Sequence, residues 1–356
     1  MGDALRVGII GIGQISGQYL TALPRLTNLE LTAAADLDPA RAVPGVRTLT
    51  PDELFAADDI DIVLNLTIPA AHHDVALAAI AAGKSVYGEK PLAATTAQAS
   101  EILAAAEKAG VAVGCAPDTV LGTGIQTARA VLDAGEIGRP IAATAFMTTP
   151  GHERWHPAPE FYYQPGGGPL LDMGPYYLTA LVTLLGPVRR VVGMSATPQP
   201  TRTTIAGKTF PVEVATHVTG VLEHANGALS TLLMSFDVWA ADLPRIEVYG
   251  TGGSLSVPDP NNFHGPVRVF RAGAETWTDQ PESGGYPNAA RGYGLADLAR
   301  AVRTGGTPRA NGRLAFHVLD VLESLLTAAE TGTSITITSD ADRPAPVPFG
   351  ARPEEA

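Results

Sequence analysis

Short apolar runs rich in β-branched residues recur through the first third of the chain, at Leu5–Ile10, Leu29–Ala35, Ile60–Leu66, Ser85–Gly88 and Val111–Gly114. Between them lie Ala-rich stretches of helical periodicity, near 14–23, 51–57, 70–82 and 95–109. Gly83 and Gly110 stand where helix C-caps belong. Near-continuous apolar runs mark strands buried on both faces, and strand–helix alternation predicts βαβ units in a parallel, doubly wound sheet. Past about residue 121 the pattern changes. A helix over about 123–134 leads into β-rich segments near 140–148, 188–196, 213–223, 227–237, 244–249 and 267–271, with few helices between. These predict a largely antiparallel sheet, covered on one side by helices near 172–185, 291–303 and 313–331 and open on the other. The expected organisation is therefore α/β plus α+β: a doubly wound parallel domain over 1–121 and an open-faced domain over 122–356. The Pro-rich tail after Ser339 reads as loosely held surface chain.

The first run ends in Gly11-Ile12-Gly13-Gln14-Ile15-Ser16 and passes into helix. In that order the first glycine allows a tight turn and the second lets backbone N–H groups approach a pyrophosphate. The third position, here the small Ser16, packs helix on strand. Asp36 ends the second run about 20 residues beyond Ser16, where a carboxylate accepts hydrogen bonds from an adenosine ribose. It also repels a 2′-phosphate, and Asp38 adds to that repulsion, so NAD is favoured over NADP. The alternative is that Asp36-Leu37-Asp38-Pro39 merely caps a helix starting near Pro39, and the two roles are compatible, since Asp38 can cap while Asp36 binds ribose.

Composition narrows the partners. A formal charge of −12 argues against nucleic acid and against an anionic membrane surface. No apolar run reaches the roughly 20 residues of a membrane span. The single cysteine, Cys115, excludes an internal disulfide framework and fits a reducing compartment. The start carries neither a basic leader nor a cleavage site, so a soluble, cytoplasmic protein is expected.

Only four lysines exist, and one of them stands in Glu89-Lys90-Pro91, just beyond a buried strand, where such sheets bind ligands. A surface Lys90 paired with Glu89 is the alternative reading. Together with Gly11-Ile12-Gly13, this motif, Asp36-Leu37-Asp38-Pro39-Ala40-Arg41-Ala42 and Thr67-Ile68-Pro69-Ala70-Ala71-His72 are similar to motifs of the Gfo/Idh/MocA oxidoreductases. Gly166-Gly167-Gly168-Pro169-Leu170-Leu171-Asp172-Met173-Gly174 and Glu247-Val248-Tyr249-Gly250-Thr251-Gly252-Gly253-Ser254-Leu255 follow in the same order. The resemblance covers about residues 5–335 and implies a Rossmann domain, an open-faced second domain and a sugar or polyol substrate. It places the cofactor on Gly11, Gly13, Gln14, Ile15, Asp36, Thr67, Pro69, His72, Glu89 and Lys90, and catalysis on Lys90 and Asp172. The family's histidine, four residues after the aspartate, falls on Tyr176. Branches resembling glucose–fructose oxidoreductase and dihydrodiol dehydrogenase also carry tyrosine there.

On a helix, Asp172 and Tyr176 share one face. Pro175 belongs in a first turn, which predicts Asp172 as the N-cap. A phenol of pKa about 10 is a weak base at neutral pH. An ammonium about 4 Å away at an effective dielectric near 20 contributes about 4 kcal/mol, up to about three pKa units, which makes Tyr176 a workable acid/base near neutrality. Tyr177 is the rival hydroxyl.

His152-Glu153-Arg154-Trp155-His156 matches the zinc pattern H-E-x-x-H, which needs a continuous helix. Pro150-Gly151 before it and Pro157 after it oppose that helix, so no metal is expected. The segment from Thr148 to Tyr163 reads instead as a substrate loop, with His152, Trp155, His156 and Tyr163 as contacts, or as a loop packed on its own aromatics or on a neighbouring subunit. Asp118 and Tyr177 complete the substrate candidates. The expected function is NAD-dependent hydride transfer to or from a carbohydrate or polyol-like carbon. The alternatives are a redox-neutral sugar-modifying enzyme with tightly held NAD and a non-catalytic sugar- or NADH-sensing protein. An open sheet face predicts a homodimer or homotetramer.

Overall fold

The computed structural model describes residues 4–355. In chain order its first elements are β1 (Leu5–Ile10), α1 (Ser16–Ala22), β2 (Leu29–Ala35), β3 (Arg47–Leu49), α2 (Pro51–Ala56), β4 (Ile62–Asn65), α3 (His72–Ala81), β5 (Ser85–Gly88), α4 (Thr96–Ala109) and β6 (Val113–Cys115). There follow α5 (Thr123–Asp133), β7 (Pro140–Thr148), α6 (Gly168–Leu185), β8 (Val188–Ala196), β9 (Thr201–Thr203), β10 (Thr209–Pro211), β11 (His217–His224) and β12 (Leu229–Ser235). The last are β13 (Ile246–Gly250), β14 (Gly253–Val257), β15 (Val267–Arg271), β16 (Thr278–Gln280), α7 (Tyr293–Thr304), α8 (Gly312–Thr331) and β17 (Ile335–Thr336). The chain divides into two units. One comprises the residues up to Thr123, Gly284–Phe316 and Pro344 onward, and the other Gly124–Ser283 with His317–Arg343.

The first unit is built on a six-stranded parallel sheet of order β3-β2-β1-β4-β5-β6. Val7, Ile9, Ile62, Val63 and Leu64 are completely buried, as the unbroken apolar runs predict for strands covered on both faces. Strand order reverses between β1 and β4, so the crevice that binds ligands in such sheets opens beyond Ile10, on the glycine turn. Thr50 and Glu53 form a capping box that starts α2, with Pro51 in its first turn.

Four expectations change here. A boundary at 121/122 assigns everything beyond it to the second domain, yet 284–316 and 344 onward belong to the first unit. Buried polar groups tie them there: Asp118 Oδ2 accepts the Gly292 and Gly294 N–H groups, each at 3.0 Å, and the Cys115 N–H donates to the Ala310 carbonyl at 3.0 Å. Consequently α7 packs against β6 and does not cover the second sheet. The tail is not loose either, since Val347 is buried, its carbonyl accepts the Gly285 N–H at 2.9 Å, and Arg309 donates to the carbonyls of Ala345 and Pro346. Finally, no helix starts near Pro39. Asp38 Oδ1 takes the Ala40 N–H at 3.0 Å and its carbonyl the Arg41 N–H at 3.0 Å, closing a turn.

The second unit carries a nine-stranded sheet of order β16-β15-β14-β13-β7-β12-β11-β8-β17, antiparallel except for the β7–β12 pair. Alternation sends Ala145, Met147, Val218, Leu222, Leu232 and Met234 to the covered side. There a β-carbon at Gly193 or Gly220 would lie 2.6 or 2.5 Å from Leu325 of α8, and one at Gly174 of α6 would lie 2.5 Å from Leu322 of α8. The opposite face is open: in-register Val192 and Val221 are 45% and 39% exposed, and Met194 is 74% exposed. No helix among the described residues is long and apolar enough to cross a membrane.

Candidate functional site

In the first unit the glycine turn is built as its sequence requires. Gly11 has φ +96°, and a β-carbon on it would lie 2.7 Å from the Leu66 backbone, so only glycine fits. Gly13 faces open space, with nothing within 4 Å of a β-carbon position. Gln14 is exposed and Ile15 half-buried beside it. Asp36 reaches back from β2, its Oδ2 accepting the Ile12 N–H at 2.6 Å and its Oδ1 the Asp38 N–H at 2.9 Å. Burial raises this carboxyl, but the backbone N–H groups of Asp38 and Ile12 and the charge of Arg41 outweigh it and hold it below the usual carboxylate range. Arg41, not singled out in the sequence, lies 3.8 Å from Asp36 Oδ2 and 3.7 Å from Asp38 Oδ2. A cradle that a side chain would fill, beside a fixed carboxylate, fits a dinucleotide.

At the next strand ends, Thr67 is half-buried, Pro69 and Ile68 are exposed, and Thr67 Oγ1 donates to Asn65 Oδ1 at 2.6 Å. His72 is buried rather than lining a cleft. Its ring nitrogens lie 2.6 Å from the Pro91 carbonyl and 3.0 Å from the Thr67 carbonyl, so it joins the two loops that follow β4 and β5. Glu89 is buried and accepts the Tyr19 hydroxyl at 2.8 Å and the Lys90 N–H at 3.2 Å, linking α1 to the lysine. Asp118, expected at the substrate, is completely buried and committed to Gly292, Gly294 and Arg291.

In the second unit α6 begins at Gly168, with Gly167 as N-cap and Pro169 in the first turn. Asp172 is therefore inside the helix and not its cap, and Pro175 is interior too. The glycines before Pro169 supply the start that sequence reasoning gave to Asp172. Asp172 and Tyr176 still share a face at i, i+4 spacing. Tyr177 is completely buried in the interior, off the face that Asp172 and Tyr176 share, and burial pushes its phenol up.

The H-E-x-x-H segment is a single 3-10 turn, His152–Arg154, entered through Gly151 at φ +112°. Among the described residues no group of His, Cys, Asp and Glu is placed to hold a metal ion. His152 Nε2 instead lies 3.1 Å from Asp172 Oδ2, and the Trp155 indole N–H points at Nδ1 across 3.3 Å. Trp155, Tyr162 and Phe236 pack edge and face around this ring, His156 and Phe161 pack on Tyr162 beyond it, and Trp155 remains exposed. Tyr163, a predicted contact, is buried. Its hydroxyl donates to Glu153 and accepts the His152 N–H at 3.1 Å, so it braces the loop from behind. Arg202 of β9 pairs with Glu153 at 3.1 Å and with Asp237. Neither Arg202 nor Asp237 stood out in the sequence, where a lone arginine in a Thr-rich run carries no local signal.

Comparison with known proteins matches residues 5–116 to the oxidoreductase family with an NAD-binding Rossmann fold, and residues 125–256 to the GFO/IDH/MocA C-terminal domain. A trans-1,2-dihydrobenzene-1,2-diol dehydrogenase of Xenopus laevis is 27% identical over 84% of this chain and 88% of its own. A dTDP-3,4-didehydro-2,6-dideoxy-alpha-D-glucose 3-reductase of Streptomyces antibioticus is 29% identical over 89% of this chain and 93% of its own. A levoglucosan dehydrogenase solved with NADH and L-sorbose shares the fold with a TM-score of 0.80 at 20% identity, over 95% of this chain and all of the other.

Proposed function

The chain belongs to the GFO/IDH/MocA family of NAD-binding oxidoreductases, and we propose from this that it is an NAD-preferring dehydrogenase or reductase of a polyol- or sugar-like hydroxyl or keto carbon. The observation that carries the site is Asp172 with Tyr176 on one face of α6, the carboxylate met by His152. Bound dinucleotide supplies the hydride acceptor or donor. The Gly11–Ile15 turn and Asp36 bind it, with Thr67, Pro69, Glu89 and Lys90 at the neighbouring strand ends. Tyr176 moves the hydroxyl proton, Lys90 supplies the positive charge that favours phenolate and developing alkoxide, and Asp172 orients a substrate hydroxyl. Trp155 and His156 supply ring faces and hydrogen bonds to the substrate. Asp36 supports NAD over NADP by its negative charge.

Relatives and structural neighbours named for a vicinal diol, 1,5-anhydro-D-fructose, inositol and levoglucosan set the assay panel. Inositol, levoglucosan, a trans-dihydrobenzenediol and 1,5-anhydro-D-fructose are each followed by NADH absorbance with NAD(H) and NADP(H). Turnover of at least one compound with net NADH change supports the reading. Product without net NADH change favours redox-neutral chemistry, and NADH binding without turnover of any compound favours a sensor. For the open face of the second sheet, with Val192, Met194, Val221 and Leu229 exposed, we propose a homodimer or homotetramer contact. Met194→Glu should then lower the mass measured by light scattering.

A further inference from the structure

Asp172 is gripped from outside its own helix. An indole nitrogen only donates, so the Trp155 N–H, 3.3 Å from His152 Nδ1, requires the lone pair to be on Nδ1. That fixes the ring proton on Nε2, from which it is donated to Asp172 Oδ2 across 3.1 Å. The imidazole is clamped between Phe236 and Tyr162, with ring centroids 4.3 and 4.4 Å away. Its backbone N–H is held by the Tyr163 hydroxyl, and Tyr163 in turn by Glu153. Behind these lies an ionic base of Arg202, Glu153 and Asp237, whose side chains are 2%, 5% and 9% exposed. A loop fixed so deeply holds the Nε2–H of His152 against α6 at Asp172.

We propose that His152 is a positioning residue of the reaction centre: its Nε2–H occupies one Asp172 oxygen and turns the other toward the reaction beside Tyr176. This rests on the roles given above to Asp172 and Tyr176. It moves His152 from direct substrate contact, the role its loop predicts, to action through the carboxylate. Position 176 offers no imidazole, and the loop brings one to the aspartate from 20 residues earlier in the chain. Trp155 acts one step further back, by choosing the tautomer.

The test has a spectroscopic and a kinetic arm. In the full chain labelled with 15N-histidine, the His152 signals, assigned by their loss in His152→Phe, should show Nε2 protonated and Nδ1 bare. Trp155→Phe should release that tautomer preference. With the panel compound turned over fastest, His152→Phe keeps the ring packing and should lower kcat on the order of 10- to 100-fold, leaving KM within about twofold. His152→Gln, whose amide N–H stands near the Nε2 position, should recover most of that loss. In an Asp172→Ala background, which removes the acceptor, His152→Phe should cost nothing further, because the pair acts as one unit. A wild-type ring protonated on Nδ1 overturns the proposal. So does an unchanged kcat in His152→Phe, a rise in KM alone, or a full additional loss in the Asp172→Ala background. An Asp172→Asn enzyme with normal turnover refutes the reading of the site itself, whatever His152 does.

Discussion

Replacing Asp36 with serine should move the enzyme toward NADP. The carboxylate is fixed by the Ile12 N–H at 2.6 Å and its side chain is only 11% exposed, so it cannot swing away from a nearby anion. A 2′-phosphate carries about −1.5 to −2 charges. At about 5 Å, a charge of about −1.5 is repelled by about 1 kcal/mol at a dielectric of 80 and about 5 kcal/mol at 20. An intermediate value of about 2–3 kcal/mol corresponds to roughly 30- to 150-fold in kcat/KM. Serine also removes a charged acceptor for the ribose hydroxyls, which weakens NAD by about tenfold or more. Arg41, 3.8 Å from Asp36 in the native protein, is then left to pair with the phosphate. The ratio of kcat/KM for NADP+ over NAD+ should rise on the order of 100- to 1000-fold, less at high salt, and Arg41→Ala should take back about tenfold. Steady-state kinetics with each cofactor at saturating polyol measures this. A ratio within about threefold of wild type refutes the assignment of Asp36 to the ribose.

Gly11→Ala forces a β-carbon onto the Leu66 backbone at 2.7 Å in a left-handed conformation. It should cost roughly 3 kcal/mol or more and abolish NADH binding measured by fluorescence; tight binding by the alanine variant would contradict the turn geometry. Arg202→Met leaves Glu153 and Asp237 buried without their cation. Calorimetry should show the second unit melting about 6–20 °C lower, from a loss of about 3–5 kcal/mol, and an unchanged melting temperature would show the cluster to be dispensable. His224 is pushed by burial down to about 4. The unfolded chain takes up this proton below about pH 6.5 and the folded chain only near 4, so stability is complete above about 6.5 and falls between those values, by up to about 3 kcal/mol. His224→Gln should flatten that part of the pH–stability curve, and an unaltered slope would refute the cause.

Legibility followed the range of the interactions. β1, β2 and β5 were readable to the residue because an unbroken apolar run, a glycine turn and a helix are local signals. So were the Gly11 turn and the placing of Asp36. The return of α7 to the first unit was not, because what places it is a buried Asp118 reaching more than 170 residues along the chain to Gly292 and Gly294. Hydrophobic periodicity says that a helix exists, not which sheet it covers. The same limit hid Arg202 and Asp237, which matter only through the loop they hold. Asp172 reads as a cap in the sequence because Pro175 draws the expected helix start forward, while Gly167, Gly168 and Pro169 already supply one. Its partner His152 stands out for its loop alone, because no spacing rule joins a 3-10 turn to the inside of a helix 20 residues on.

The central claim, that Tyr176 and Lys90 carry the proton chemistry of an NAD-linked oxidation, is tested most directly by following one hydrogen. A panel polyol deuterated at the carbinol carbon is mixed with NAD+ and enzyme in a single turnover, and label in the recovered NADH is read by mass spectrometry. Wild type should pass the label to the nicotinamide. Tyr176→Phe and Lys90→Met should each slow that transfer by about a hundredfold or more while still binding NADH. Transfer at the wild-type rate in either variant would contradict the account.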